Sequence, residues 1–501
     1  MQDKIAELRQ HLAEIYDLKA ISYLLEWDQS TYMPPGGASA RARQVAFLEG
    51  LRHERLTDPK LGRLLEDLGP YEETLPYDSD DASLIRVTRR DYERAVRIPS
   101  SFMAEAFGHF AETYQAWIAA RPADDFELVR PYLEQSLDYS RRYAEFFPES
   151  EHIADPLIAE YDYGMTADTI RKVFADLRAE LVPLVEVVTS QGAADDSCLR
   201  RFYPEAPQWE FALDVIQRLG YDLSRGRQDK SPHPFTTVFS IGDVRITIRV
   251  RERDLGEALF GAVHEGGHAL YEQGVDGALD GTLLAEGTSA GVHESQSRLW
   301  ENVVGRGLPF WRFFYPRLQE RFPEQLGKVA LDTFHRAVNK VQRSLIRTEA
   351  DELTYNLHVM IRFELELQLL EGKLAVRDLP EAWRERYRAD LGIVPPDHRD
   401  GVLQDVHWYW GFVGGAFQGY TLGNIQSALF FEAALRDHPE ILSEMEEGEF
   451  GTLLGWLRDK IYRHGRKFTA DELVERISGG PLRIGPYMNY LREKYGTLYK
   501  I

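Results

Sequence analysis

Apolar residues recur at three- and four-residue spacing over residues 4–21, 92–117, 168–188, 325–374 and 425–435, which lays one apolar stripe along each of several α-helices. Ile5, Leu8, Leu12 and Ile15 carry the first stripe. Thr469 three residues ahead of Glu472, just before Leu473 and Val474, predicts a capping box opening a further helix. Glycine, proline and acidic residues at 69–83, 190–197, 223–234, 391–401 and 478–486 predict loops, none long enough for an interdomain linker. No fixed-period repeat is visible. The pattern predicts a mainly α fold: a single domain over residues 1–501 with up to two lobes, at about 1–200 and about 201–501.

One segment departs from the helical period. Residues 236–241 and 244–250 flank Gly242-Asp243, which predicts a hairpin with a two-residue II′ turn. In its second strand Val244, Ile246, Ile248 and Val250 fall on one face, and Arg245, Thr247 and Arg249 on the other. A lone hairpin is only marginally stable, so this one has to lean on helices.

At 44% hydrophobic and 28% charged residues, the chain is excluded from the disordered class. A net charge of −22 repels phosphate backbones and anionic lipid, which argues against nucleic acid or a membrane surface as partner. Residues 406–431 carry no Asp, Glu, Lys or Arg and are long enough to span a bilayer. Five glycines with Gln418, Asn424, Gln426 and Ser427 make that stretch a poor lipid-facing helix and predict buried interior. Cys198 is the only cysteine, so no internal disulfide forms, and the N-terminus reads as a helix rather than an export signal. Both point to the cytoplasm.

The informative chemistry is His264-Glu265-Gly266-Gly267-His268. Histidines at i and i+4 share one helical face, so two imidazoles reach one zinc ion. Glu265 projects beside them, where its carboxylate can take a proton from metal-held water. Two glycines inside a helix cost about 1 kcal/mol each against alanine, which is easier to accept where a substrate or a neighbouring backbone passes close to the helix. A third protein ligand is required, and Glu286, His293, Glu294 and Glu301 all lie at plausible chain distances. The residues alone leave that choice open, and Glu294 with Arg298 at i, i+4 equally reads as a surface ion pair.

With these residues in view, the sequence resembles the thermostable carboxypeptidases of the M32 metallopeptidase family. The likeness extends beyond the zinc motif to His233-Pro234-Phe235, to Asp243, Arg245 and Thr247, and to His293-Glu294-Ser295-Gln296. It continues through Ile346-Arg347 with Ala350-Asp351, and Gly401 with Gln404-Asp405 and His407-Trp408. Trp27-Asp28-Gln29 with Met33-Pro34-Pro35, and Phe468 through Leu482, extend it to both ends. The resemblance implies a helical body with a deep central groove beside the hairpin, usually a homodimer. It implies metal-dependent removal of C-terminal residues from peptides with broad specificity and little activity on a C-terminal proline. It implies His264, His268 and Glu294 as metal ligands and Glu265 as general base, with Zn2+ the default ion and Co2+ or Mn2+ able to replace it.

The remaining roles follow from that reading. A free C-terminal carboxylate calls for a fixed guanidinium, and Arg347 is the first candidate, with Arg245 and Arg249 on the polar hairpin face in reserve. Arg347 paired with Asp351 along a helix is the competing reading. His233, His407 and Tyr420 are candidate donors to the substrate carbonyl or carboxylate, and Gln404 and Asp405 could fix the His407 tautomer. Two departures stand out: Ile248 replaces a family threonine, and Gly415 to Tyr420 lacks the usual Pro and first Tyr, which bears on the groove wall. The rival functions are a metal-dependent oligopeptidase cutting inside peptides and a catalytically silent homologue that only binds peptide or metal.

Overall fold

Prolines and side-chain caps cut the apolar stripes into separate helices. The computed structural model describes residues 1–501. The stripe over 92–117 breaks at Pro99, which has no N–H to offer a continuing helix, into Asp80–Arg97 and Ser100–Ala123. The stripe over 325–374 is not one helix either. It yields Leu331–Val338 and Glu352–Leu370 (α7 below), because the Asp351 carboxylate accepts the amides of Leu353 and Thr354 at 3.0 Å each and caps a new start. The loop expected over 69–83 is shorter, since one helix runs to Glu72 and the next begins at Asp80. The capping box at Thr469 and Glu472 forms.

Four N-terminal helices, α1 (Gln2–Thr31), α2 (Ala38–Leu56), α3 (Pro59–Glu72) and α4 (Asp80–Arg97), make a layer of their own. Its seam is a cluster of 16 buried apolar residues in which Ile5, Leu8, Leu12 and Ile15 meet Leu61, Leu84 and, from the rest of the chain, Ile241 and Leu284. A second cluster of 109 buried residues, from Phe102 to Tyr499, is the main core. The layer is tied to the main body by ion pairs: Arg466 with Asp91 at 2.9 Å, Lys467 with Asp80, and Lys19 with Glu286.

The hairpin is part of a three-stranded sheet in the order β1-β3-β2, with β1 (Gln228–Lys230) parallel and β2 (Phe235–Ser240) antiparallel to β3 (Asp243–Ile248). The turn sits one residue earlier than expected. Ser240 pairs with Asp243 after a register shift, leaving Ile241-Gly242 as the loop. β1 falls inside the stretch expected to be loop, because three residues pairing with an existing strand need no periodicity of their own. Val244, Ile246 and Ile248 are fully buried. Ile248 is thus a core residue, and its departure from the family pattern lies in packing. The strands lean on α5 (Leu255–Gln273), as a marginal hairpin must.

Three more helices complete the frame: α6 (Ala290–Arg298), α7 (Glu352–Leu370) and α8 (Gln418–Asp437). α8 is buried along almost its whole length, as the uncharged composition of 406–431 predicts. No helix is long and apolar enough to cross a membrane.

Candidate active site

Asp254 caps α5 by accepting the Gly256 amide at 3.1 Å, and the helix then carries His264, Glu265 and His268 in register. Ser289 caps α6 in the same way through the Val292 amide, and α6 delivers Glu294 opposite them. Nε2 of His264 and Nε2 of His268 lie 3.8 and 3.5 Å from Oε2 of Glu294. These distances are too long for hydrogen bonds. They are close to the ~3.4 Å that separates donors held at about 2.1 Å from one tetrahedral cation. All three ligand atoms lie within 4.8 Å of one another, and no other group of His, Cys, Asp and Glu side chains converges in this way. Two imidazoles and one carboxylate suit a divalent metal with a coordination position left open.

The other atoms of each ligand are held by further residues. Nδ1 of His264 lies 2.9 Å from Glu301, which sits on the π-helical turn Leu299–Val304 that continues α6. Nδ1 of His268 is 2.5 Å from Nδ1 of His293, whose Nε2 is 2.7 Å from Glu272. Donation from His268 to His293 and from His293 to Glu272 leaves Nε2 of His268 free to ligate. Burial, then the neighbouring His293, push the His268 imidazole down to about 3, so it is neutral. Arg298 is not a surface partner: its Nε donates to Oε1 of the buried Glu294 at 2.7 Å, turning Oε2 toward the histidines. Of the candidates for third ligand, His293 and Glu301 instead support the two histidines, and Glu286 pairs with Lys19 and Arg466.

The glycine reading has a direct explanation. A Cβ on Gly267 would lie 2.7 Å from the carbonyl oxygen of Gln296 and from the Cα of Ser297, so α5 and α6 touch backbone to backbone beneath the ligands. Gly423 does the same for α8, where a Cβ would meet Glu294 Cβ at 2.8 Å. Beside the ligands, Thr236 on β2 donates to Oε2 of Glu265 at 2.7 Å and also to its backbone carbonyl at 3.0 Å. Burial raises the Glu265 carboxyl above the usual range, which suits a group that takes and returns a proton. Thr236 was not singled out from sequence; its place on the strand face toward α5 is the only signal there.

A second wall faces this centre. His407 places Nδ1 2.6 Å from Asp405 and Nε2 3.2 Å from the Tyr420 hydroxyl, so Asp405 sets the tautomer. Arg347 does not pair with Asp351, which caps α7. Its Nε and Nη2 donate to the two oxygens of Asp405 at 2.6 and 3.4 Å, and Nη1 donates to the Tyr355 hydroxyl at 3.0 Å. Its guanidinium lies 5.2 Å from the Tyr420 ring. Gln404 makes no hydrogen bond to His407; its oxygen accepts the Arg347 amide at 3.0 Å. Phe417, from the altered segment before α8, packs 4.8 Å from the His407 ring and supplies the wall there.

His233 stands two residues before β2 on an exposed turn, and partial desolvation of its ring, followed by the charge of Arg249, lowers its pKa. Both reserve arginines are already paired: Arg245 grips Asp243 through Nε and Nη2 at 2.8 and 2.7 Å, and Arg249 donates to Glu257 at 2.6 Å. Between α1 and β2 lies a cavity of about 690 Å³ lined by Tyr23, Trp27, Phe235, Phe239, Thr236 and His293. Its last two residues touch Glu265 and His268, so it opens onto the metal centre. Cys198 is buried away from it and its thiol is raised by that burial.

The family model described as Carboxypeptidase Taq (M32) metallopeptidase matches residues 7–495. The chain is 43% identical over 492 residues to thermostable carboxypeptidase 1 of Thermus thermophilus, covering 96% of each, and 36% identical to carboxypeptidase 1 of Bacillus subtilis, covering 98% and 99%. The crystal structure of an M32 carboxypeptidase from Deinococcus radiodurans superposes with a TM-score of 0.97 at 50% identity, covering both chains completely. With the motifs spread over the whole length and a histidine–histidine–glutamate centre at its middle, the chain belongs to the M32 family and is a metal-dependent carboxypeptidase.

Proposed function

We propose that His264, His268 and Glu294 hold a zinc ion and that Glu265 is the general base of the carboxypeptidase reaction. The convergence of three ligand atoms within 4.8 Å, each backed by its own hydrogen-bond partner, carries this reading. Zinc bound there supplies a Lewis acid that activates water and polarises the scissile carbonyl; Co2+ or Mn2+ fits the same donors.

The protein groups do the rest. Arg347, fixed by Asp405 and Tyr355, keeps unpaired N–H groups for the terminal carboxylate and sets which bond reaches Glu265. Glu265 accepts the proton of the attacking water and passes it to the leaving amine. Tyr420, with His407 behind it, donates to the oxygen on which charge develops. His233 borders the same subsite, while Arg245 and Arg249, each committed to a carboxylate, shape the sheet that frames it. The unprimed part of the peptide lies in the cavity between α1 and β2, whose aromatic lining suits broad specificity.

The substrates are peptides with a free C-terminus. The whole chain acts as one peptidase unit, α1–α4 roofing the groove, and the protein works as a homodimer in the cytoplasm, a compartment that the lone Cys198 tolerates. Mass spectrometry of one short peptide, free and C-terminally amidated, tests the reaction. Stepwise loss from the free acid only, abolished by a chelator and restored by Zn2+, is expected. Internal cuts in both peptides would turn the assignment to an oligopeptidase.

A further inference from the structure

Behind Arg347 stands a second guanidinium that no motif singled out. Arg362 is on α7 and fully buried. Its Nε donates to Oδ2 of Asp405 at 2.9 Å, the oxygen that also takes Nε of Arg347 at 2.6 Å. Nη2 donates to the Gln404 oxygen at 2.9 Å and Nη1 to the His358 carbonyl at 2.8 Å, while the Trp383 ring lies 4.6 Å from the guanidinium. Asp405 therefore faces two arginines and His407.

The remaining groups nearby leave that charge uncorrected. His358 is held neutral by burial and by the two arginines. Glu366, one turn further along α7, accepts Trp408 Nε1 at 2.7 Å; burial, against that hydrogen bond, pushes its carboxyl up to about 8, so it is protonated at neutral pH. Glu257 is committed to Arg249, and Glu294 to Arg298. Two permanent cations on one carboxylate leave a buried excess of one positive charge, and Arg347 is the member of the pair that keeps some exposure, 7% of its side chain against none for Arg362. Buried charge without a partner is unfavourable, so a site of this kind binds an anion.

We propose that Arg362 is a positioning residue of the substrate-carboxylate subsite: by sharing Asp405 with Arg347 it leaves unneutralised the positive charge that the C-terminal carboxylate of the peptide completes. This rests on the reading of Arg347 as the carboxylate anchor. If Asp405 served Arg347 alone, the pair would be neutral and would attract a carboxylate only through its spare N–H groups. With Arg362 present, the carboxylate is recognised by net charge as well as by hydrogen bonds.

The zinc-loaded enzyme is assayed with 3-phenylpropanoate, a carboxylic acid about the size of one C-terminal residue, and with a hydroxamate lacking any carboxylate. R362M is expected to weaken the acid about thirtyfold and to raise KM for free peptides similarly, with hydroxamate inhibition unchanged. R362K keeps the charge but not the planar fork, and is expected to lose clearly less than R362M, staying within about tenfold of wild type. Equal losses in R362M and R362K, or losses shared by acid and hydroxamate, would reduce Arg362 to a packing role and overturn the proposal. R347M separates the two layers: retention of acid binding there would overturn the anchor itself, whereas its loss in R347M with none in R362M would overturn only the proposal. Should R362M not fold, the wild type still decides. Acid binding should weaken above about pH 8 as Glu366 ionises against Arg362, Asp405, Trp408 and the Gly414 amide, and E366Q should remove that limb. The same limb in E366Q, or none in wild type, would count against the proposal.

Discussion

The histidine–glutamate centre and the wall around Asp405 face one another, yet they are built by opposite means. The centre comes from two adjacent helices that touch through glycine, and His264, Glu265 and His268 lie within five consecutive residues of α5. The wall draws Arg347 from a short turn, Arg362 from α7, Asp405 and His407 from a loop and Tyr420 from α8, bound into one buried network around a single carboxylate. The two histidines and Glu265 need only helical geometry to stand together, and a single helix–helix contact adds Glu294, so this part is largely local. The second needs the whole main core to be assembled, so its chemistry depends on tertiary packing, and burial makes each of its charges matter more.

The sharpest way to break the comparison is at its strongest point. E265Q is expected to lower kcat about a thousandfold with metal content unchanged by elemental analysis, because only proton transfer is lost. On the wall, Y420F is expected to cost about a hundredfold in kcat with the metal retained, as loss of one donor to a developing oxyanion does. A parallel loss of metal in Y420F would mean that the two regions are not separable. E272Q probes the support of the centre: without a carboxylate to take the His293 proton, metal affinity measured by chelator competition should fall about ten- to a hundredfold, with KM little changed on reloading.

The smallest expected effect concerns the N-terminal layer. Against the opposing effect of burial, Lys19 and Arg466 hold the Glu286 carboxyl down at about 2, whereas in an unfolded chain a glutamate titrates near about 4.3. Glu286 therefore contributes stability that is complete above about pH 4.3 and is lost as pH falls toward 2. E286Q should be less stable than wild type at pH 6, with the difference shrinking as pH drops, followed as Tm against pH. A difference that stays constant with pH would place the effect in packing instead of charge.

Much of the centre was legible because its signals are local. The i, i+4 histidines and the intervening glutamate state their own geometry once a helix is assumed, and the glycines signal a close neighbour: α6 at Gly267, and Ile216 at Gly266. The support of the histidines was half visible: Glu301 and His293 stood among the candidates, but nothing in their spacing separated a ligand from the group that orients one. On the wall the sequence misled. Arg347 and Asp351 at i, i+4 look like a helical pair, but Asp351 caps a helix that starts after it, so the two face different ways.

The order of apolar and polar residues by itself determined that this chain is mainly helical, that residues 406–431 are interior, and that one helix presents two imidazoles and a carboxylate together. These follow from a 3.6-residue period and from the cost of burying or exposing particular side chains, both read along a single segment. Only the tertiary structure decided that Glu294 converges with the two histidines, that β1 joins the sheet, and that Asp405 stands between two arginines. Those are relations among segments tens to hundreds of residues apart, set by which helices pack backbone to backbone and which charges have to share a partner once water is gone.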